Sequence, residues 1–301
     1  MLNSKVIINP SSGGGKGAVY ARRIAEALSI KDEDIVFSNG LADAEKKANN
    51  FAVIGVNPVI FCGGDGMLGA VLNGVLKVSP NVAIGIIPAG MSDVGAGSLG
   101  IPRRFEDAVK IIKQGKRATV DAGVVIYPEG KRYFYSMADF GFTADIVRIS
   151  EKNILIKKIL GKKAYCAAGV YKLLQRKQFF DVSCGNYTGG SFQSIFMNGL
   201  LWGGKFRWEK DCSQKDGLGE LLVFEKMDLF RLMRIFISLA TCKKTKGLKS
   251  IRTSSAFLRS LRPETPIPWH ADGEFMGFLK EAEIRIIPDA ALFICDPGAV
   301  I

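Results

Sequence analysis

The sequence predicts an α/β plus β fold. An N-terminal Rossmann-like parallel-sheet domain is followed by a C-terminal, mainly antiparallel β domain. Three observations lead there. The first ~115 residues alternate short apolar runs with amphipathic helical spacing, the pattern of βα units on a parallel sheet. Beyond Arg117 the apolar runs are bounded by Gly, Asp and Pro turns, as in antiparallel β structure. The length of 301 residues suits two domains at about 150 residues each. The expected boundaries are 1–117, with 286–301 returning to that domain, and 118–285 for the β-rich domain.

The elements follow in chain order. Lys5–Asn9 (KVIIN) reads as a short buried strand and Pro10–Gly17 as a loop. Over Ala18–Ile30, Ala21, Ile24, Ala25 and Leu28 share one helical face. Asp34–Phe37 reads as a second strand and Ala42–Ala52 as a helix. Val59–Cys62 is a third strand, followed by Gly63–Gly66 and a helix to about Leu76. Val82–Ile87 is a fourth strand, and Phe105–Gln114 a short amphipathic helix. In the second half, strand patterns occur in ATVDAGVVIYP, KRYFYSMADFGF, FFDVSCGNY, SFQSIFMNGLLWGG, GELLVFEK and EIRIIPD. Helical stretches are expected near Lys157–Gln175 and Leu229–Cys242.

Composition narrows the function. Hydrophobic residues are 48% and charged residues 23%, which excludes global disorder. No run of about 18 apolar residues occurs, so no transmembrane helix is expected. The opening residues do not read as a signal peptide. The six cysteines are far apart with no CxxC, so neither a disulfide framework nor a zinc site is expected. A reducing, cytoplasmic setting follows. The single histidine, His270, reads as a turn or packing residue. The net charge of +12 favours anionic partners. Arg148–Phe180 and Arg231–Arg262 each hold nine basic residues among apolar ones. They read either as solvated helix faces or as an anionic membrane surface contact. No nucleic-acid reading motif is present, so nucleic acid is not an expected partner. Sheet edges in the second domain allow a homodimer.

Two glycine loops follow strands and precede helices: Asn9-Pro10-Ser11-Ser12-Gly13-Gly14-Gly15-Lys16-Gly17, and Gly63-Gly64-Asp65-Gly66. Glycines let the backbone approach a polyphosphate and aim N–H groups at it, and the following helix N-terminus adds positive potential. Lys16 can add a point charge. Neither loop is a Walker A or GxGxxG motif, so a P-loop NTPase and a simple dinucleotide fold are disfavoured. A third Gly-rich loop at Pro88–Gly97 would meet the others at the carboxyl end of one sheet. Asp65, between glycines, can organise Mg²⁺ and its waters beside phosphates. Asp272 and Glu274 are two apart, so in an extended segment they share one face. A carboxylate in a cleft can serve as base toward a hydroxyl nucleophile.

The chain resembles the diacylglycerol kinase catalytic-domain family, which includes bacterial lipid kinases and sphingosine and ceramide kinases. The residues carrying the resemblance are Asn9–Lys16, GGDGMLGAVLNG (Gly63–Gly74), PAGMSDVGAGSLGIP (Pro88–Pro102), Gly161–Tyr165, Asn198 through Val223, and Asp272-Gly273-Glu274. GGDG alone is shared with NAD kinases; six motifs in the same order are far more specific. The resemblance implies that the C-terminal domain is a mainly antiparallel β-sandwich, that ATP lies in the cleft between the two domains, and that its γ-phosphoryl group is transferred, with Mg²⁺, to a hydroxyl of a lipid such as diacylglycerol or a sphingoid base. It makes 118–285 the lipid-substrate domain. Nucleotide contacts fall on Asn9, Ser11, Ser12, Gly13, Gly14, Gly15, Lys16, Ser38, Gly63, Gly64, Gly66, Met67, Leu68, Gly69 and Met91. A structural Mg²⁺ of bacterial members would sit at Ser213, Asp216 and Leu218, the outer two giving backbone oxygens. The proton acceptor falls on Glu274 or Asp272, and Asp65 is assigned to the Mg²⁺–water network. Ile154–Leu160 and Tyr171–Phe180 would flank an acyl chain.

The chain also departs from the family pattern. Met67 stands for a Thr, Met91 for a Thr or Ser, Asp93 for an Asn, Val94 for an Asp, Ala70 for a Glu and Ser136 for an Asn. Polar phosphate contacts are thereby lost, and Asp93 would place a negative charge near a polyanion. An alternative reading is therefore a catalytically weak or inactive member that binds lipid or nucleotide.

Overall fold

The computed structural model describes residues 3–152, 178–199, 201–202, 206–207, 213–225, 249–262 and 264–300. Its first half runs β1 (Lys5–Ile8), α1 (Lys16–Leu28), β2 (Ile35–Phe37), α2 (Leu41–Val53), β3 (Val59–Gly63), α3 (Asp65–Leu76), β4 (Ile84–Pro88), α4 (Val94–Ser98) and α5 (Phe105–Gln114). The strands lie parallel in the order β2-β1-β3-β4. β1, β3 and β4 are buried on both faces, so they read as continuous Val/Ile/Phe runs rather than as alternating ones. One face packs against α2 and α3 through Ala44, Ala48, Phe61, Val71 and Ile84. The other packs against α1 and α5 through Ile8, Ile24, Ile60, Phe105 and Ile112.

The second half is β5 (Arg117–Tyr127), β6 (Gly130–Phe134), β7 (Met137–Gly141), α6 (Phe142–Lys152), β8 (Phe180–Cys184), β9 (Tyr187–Ser191), β10 (Gln193–Met197), β11 (Leu201–Trp202), β12 (Phe206–Arg207), β13 (Gly219–Phe224), β14 (Lys249–Thr253), β15 (Ser255–Ser260), β16 (Ile267–Ala271), β17 (Glu274–Leu279) and β18 (Glu281–Ile294). Six of these form an antiparallel sheet in the order β14-β13-β10-β7-β16-β17. Phe134, Phe140, Phe196, Leu221, Trp269, Leu258 and Ile284 fill the space between it and the larger sheet. The larger sheet is continuous with the parallel one. β18 lies parallel to β4 where Phe293 meets Ile84, and antiparallel to β5 and β15. The register of β18 against β5 shifts between Ile287 and Ala291, and Asp289 adopts a left-handed φ of 50° there.

This is the α/β plus β class that the patterning predicts. Differences concentrate in the second half. KRYFYSMADFGF splits into β6 and β7. α6 starts directly at the end of β7, so strand and helix merge into one apolar run in the sequence. α4 lies within the expected loop 88–97. β14 and β15 fall inside a segment that stands out mainly for its basic charge. The expected helices at Lys157–Gln175 and Leu229–Cys242, the Gly161–Tyr165 motif and the flanks Ile154–Leu160 and Tyr171–Lys177 lie outside the described residues. Among those described, no helix is long and apolar enough to cross a membrane. Cys62, Cys184 and Cys295 are buried and free.

Candidate functional site

The three glycine loops converge at the carboxyl end of the parallel strands. After β1, Asn9 accepts hydrogen bonds from the Ser11 amide (3.1 Å) and hydroxyl (2.9 Å), which turns the chain back over the strand. Ser12–Gly14 form a 3-10 turn. Gly13, Gly14 and Gly15 all take positive φ (58°, 74°, 98°), a run that residues with a Cβ rarely sustain. Gly17 lies against the Asn9 carbonyl, where a Cβ would come within 2.0 Å. α1 then begins at Lys16, so its first free N–H groups point back along the loop.

The second loop abuts the first and third. A Cβ on Gly63 would lie 3.4 Å from Ser12 Oγ, and one on Gly64 would lie 2.9 Å from Gly90 Cα. Asp65 opens α3, and its Oδ1 accepts the Gly95 amide at 2.9 Å. It therefore ties the second loop to the third while placing negative charge at a helix N-terminus, where it is favoured. Met67 is buried beneath the loop, so only its backbone can face a phosphate. Leu68 is a correction to the sequence expectation. Its N–H is bonded to the Gly64 carbonyl (3.1 Å) and its side chain is buried, so it offers no group to a nucleotide. Gly69 is buried one turn into α3. Ser38 is also turned inward. Its N–H and hydroxyl both bond the Ile8 carbonyl (2.8 and 3.3 Å).

In the third loop Met91 is 85% exposed. Asp93 is buried, with a left-handed φ of 49°. It accepts from the Gly90 amide (2.8 Å) and from Arg103 Nε (3.0 Å). Arg103 Nη2 also donates to the carbonyls of Gly90 and Met91, both at 2.9 Å. Burial pushes the Asp93 carboxyl up, opposed by the Gly90 amide and Arg103. The expected stray charge is thus a paired one that braces the loop.

Asp272 and Glu274 close the site from the second domain. They do not share an extended strand as expected. Asp272 and Gly273, with φ of 49° and 88°, form the two-residue turn between β16 and β17. Asp-Gly favours such a turn because both residues tolerate positive φ. The Asp272 carboxylate accepts three amides: Tyr135 (2.7 Å), Ser136 (2.7 Å) and Met137 (3.0 Å). Burial pushes its carboxyl up, against those three donors. Glu274 points at the first turn of α3, where a Cβ on Gly66 would lie 2.8 Å from its Oε1. Asp272 Oδ2 lies near Gly69 by the same measure, at 3.9 Å. Asp65, Asp272 and Glu274 therefore surround the N-terminus of α3.

At the expected structural-cation position the only side-chain ligand, Asp216, is engaged within the chain. Asp216 Oδ1 accepts the Leu218 amide (2.9 Å), and Oδ2 is paired with Arg252 Nη2 (2.5 Å). Ser213 Oγ accepts the Lys215 amide (3.2 Å). Among the described residues no group of three His, Cys, Asp or Glu side chains could hold a metal.

Several supports escape sequence reasoning. Asn73 crosslinks α3 to β6: its Nδ2 donates to Gly69 and Tyr133 carbonyls (both 2.8 Å), and its Oδ1 accepts the Tyr133 amide (2.9 Å). The buried Tyr135 hydroxyl joins Ser98 (2.8 Å) to Gln214 (3.0 Å). Asn198 donates to the Asp121 and Tyr135 carbonyls (both 2.8 Å). Asn73 and Asn198 are visible as polar residues inside apolar runs. Arg103 and Gln214 leave no such mark.

Comparison with known proteins finds similar chains. Residues 3–125 match the family model described as the diacylglycerol kinase catalytic domain. Diacylglycerol kinases of Staphylococcus aureus strains JH9 and NCTC 8325 / PS 47 are each 27% identical over 288 residues, spanning 92% of this chain and 87% of theirs. A solved structure of a diacylglycerol kinase from Bacillus anthracis str. Sterne superposes with a TM-score of 0.76 at 20% identity, covering 99% of this chain and 98% of that one. This last likeness speaks for the fold.

Proposed function

Since residues 3–125 place the chain in the diacylglycerol kinase catalytic-domain family, as a lipid kinase, we propose that it moves the γ-phosphoryl group of Mg²⁺–ATP onto a lipid hydroxyl at the N-terminus of α3. One observation carries this reading. Glu274, from the second domain, meets the first turn of α3 where the three glycine loops converge.

Phosphoryl transfer needs mainly positioning and charge neutralisation. The amides of Gly13 and Gly14 and the first N–H groups of α1 and α3 suit the phosphates, while those of Ser11, Ser12 and Gly15 are bonded within the loop and hold its shape. Lys16 opens α1 and is assigned to the same charge. Mg²⁺ accompanying the nucleotide would supply further neutralisation, with Asp65 oriented by Gly95 to hold its waters. Glu274 is the proton acceptor. As the lipid oxygen bonds to the γ-phosphorus and the bridging bond to ADP breaks, the hydroxyl proton passes to Glu274. Asp272 is a positioning residue: with three amides on its carboxylate it fixes the 134–137 turn and the hairpin that presents Glu274. The basic segments 148–180 and 231–262 support peripheral contact with an anionic membrane. Flotation with anionic liposomes tests that, and no binding at low salt would remove it.

The main test is transfer of labelled phosphate from ATP–Mg²⁺ to a lipid panel in micelles, with E274Q and D65N alongside. A labelled lipid that disappears with both variants supports the assignment. If none of the lipids is labelled, although ATP raises the melting temperature, the nucleotide-binding reading replaces it.

A further inference from the structure

Tyr135 stands where the two sides of the site meet. It lies between β6 and β7, is 1% exposed, and has every polar atom engaged. Its amide donates to Asp272 Oδ2 at 2.7 Å, in the turn that leads to Glu274. Its carbonyl accepts from Asn198 Nδ2 (2.8 Å) and Gln214 Nε2 (3.3 Å). Its hydroxyl lies 3.0 Å from Gln214 Oε1 and 2.8 Å from Ser98 Oγ. Its ring meets Phe293 of β18 edge-on, with centroids 5.6 Å apart.

Ser98 carries the connection to the phosphate side. Its hydroxyl donates to the Gly95 carbonyl (2.9 Å), three residues earlier in α4. The Gly95 amide is the donor that holds Asp65 Oδ1. The Tyr135 ring also backs Gly95 directly. A Cβ on Gly95 would lie 3.4 Å from Tyr135 Cδ1 and Cε1, and 2.2 Å from Leu68 Cδ2. Asp65, Gly95, Ser98, Tyr135 and Asp272 thus form one line of contacts across the two halves of the chain. Apolar bulk alone does not require the hydroxyl, since a Phe ring would fill the same space. A buried hydroxyl is costly unless bonded, and this one is bonded toward α4. Reacting groups must be held closely, because a 1 Å misplacement can cost about a hundredfold in rate.

The structure assigns Tyr135 as a positioning residue of the transfer: through Ser98 its hydroxyl sets the α4 turn that orients Asp65, and its amide fixes the Asp272 turn that presents Glu274. The donor and acceptor sides are thereby held in one frame. This inference rests on the lipid-kinase reading and adds to it a residue that acts through Asp65 and needs no contact with nucleotide or lipid.

The test compares native enzyme with Y135F, S98A, Y135F/S98A and L258V, which thins the second-domain core away from this line. Assays run well below the lowest Tm. Y135F is expected to lower kcat and to raise the half-saturating Mg²⁺ concentration, each by roughly two- to tenfold, the range of one hydrogen bond. The KM for the lipid is expected to stay unchanged. S98A should behave alike, and the double variant should be no worse than S98A, because both changes break one contact. L258V should lower Tm and leave the kinetics as they are. A second readout needs neither metal nor turnover. Hydrogen exchange at the Gly95 amide is expected to quicken by a similar factor in Y135F and S98A, and not in L258V. A Y135F enzyme that only melts earlier, with native kcat, Mg²⁺ dependence and Gly95 exchange, overturns the inference while the kinase reading stands. Multiplicative losses in the double variant, or the same shifts in L258V, overturn it too. If native enzyme phosphorylates no lipid of the panel, the kinase reading and this inference fall together.

Discussion

Replacing Arg103 by alanine isolates what holds the third phosphate loop. The guanidinium makes one charge-assisted bond to buried Asp93 and two to the Gly90 and Met91 carbonyls. Asp93 keeps only the Gly90 amide once Arg103 is gone. A hydrogen bond to a charged group is worth about 1.5–3 kcal/mol. The Arg103 side chain is 59% exposed, so solvent screens its Coulombic attraction and little is added beyond that. A loss of about 2–3 kcal/mol follows. At about 2.1 cal/mol/K of unfolding entropy per residue, that lowers Tm by roughly 3–5 °C. Much of the loss is the cost of an unpaired buried carboxylate, so adding D93N to R103A should recover about half. The sign with pH is fixed by burial, which raises the folded carboxyl above its unfolded value. Its stabilising contribution is complete below the unfolded pKa and is lost as pH rises through the folded one. The R103A deficit should therefore shrink on acidification. Thermal unfolding of the native protein, R103A and R103A/D93N between pH 4 and 8 gives the answer, with ATP KM expected to rise in R103A. An R103A protein that melts with the native one, or a double variant no better than R103A, refutes the bracing role.

Glu274 and Asp272 should separate cleanly. E274Q is expected to keep Tm within about 1 °C and lose on the order of a hundredfold or more in kcat, whereas D272N, which places an N–H against a backbone donor, should also lose about 1.5–3 kcal/mol in urea unfolding. N73A removes three buried hydrogen bonds, two of them between α3 and β6, and a loss of about 2–4 kcal/mol is expected by denaturant titration. Y135F deletes the hydroxyl that joins Ser98 to Gln214 and should cost about 1–3 kcal/mol, read as a lower Tm with unchanged backbone circular dichroism. Burial pushes the Cys62 thiol up to about 12 and the Cys295 thiol up to about 11, so neither should react with a thiol reagent at pH 7.5 until the protein is unfolded, as a native-state titration would show.

The parallel half was legible because its signals are local. Apolar runs with no alternation mark β1, β3 and β4, and glycine loops sit at fixed places after two of them. The glycine loops were legible for the same reason. In the second half, pairing is long-range and strands touch helices without a linker, so α6 merged into β7 and β14–β17 went mostly unseen. At the site, glycine and carboxylate positions could be read from the motifs, but orientation could not. The inward turn of Ser38, the three amides on Asp272 and the Arg103–Asp93 pair all depend on residues far apart in the chain or on a turn of left-handed φ. The partner of Asp216 was hidden for the same reason, since Arg252 reaches it from β14 across the sheet.

Strand β18 has a consequence for biogenesis. Its N-terminal part lies between β15 and β5, and its C-terminal part completes the sheet beside β4. The ten-stranded sheet that spans both halves is unfinished until residues 281–294 have left the ribosome, whereas the six-stranded sheet does not need them. The nascent βα half must wait with the edge of β4 open, a surface other chains can pair with. Long-range closure of this kind is slow. The chain is therefore most exposed to chaperones and to aggregation until β18 has emerged, and a truncation just before β18 should break the ten-stranded sheet into separate pieces on either side of the missing strand.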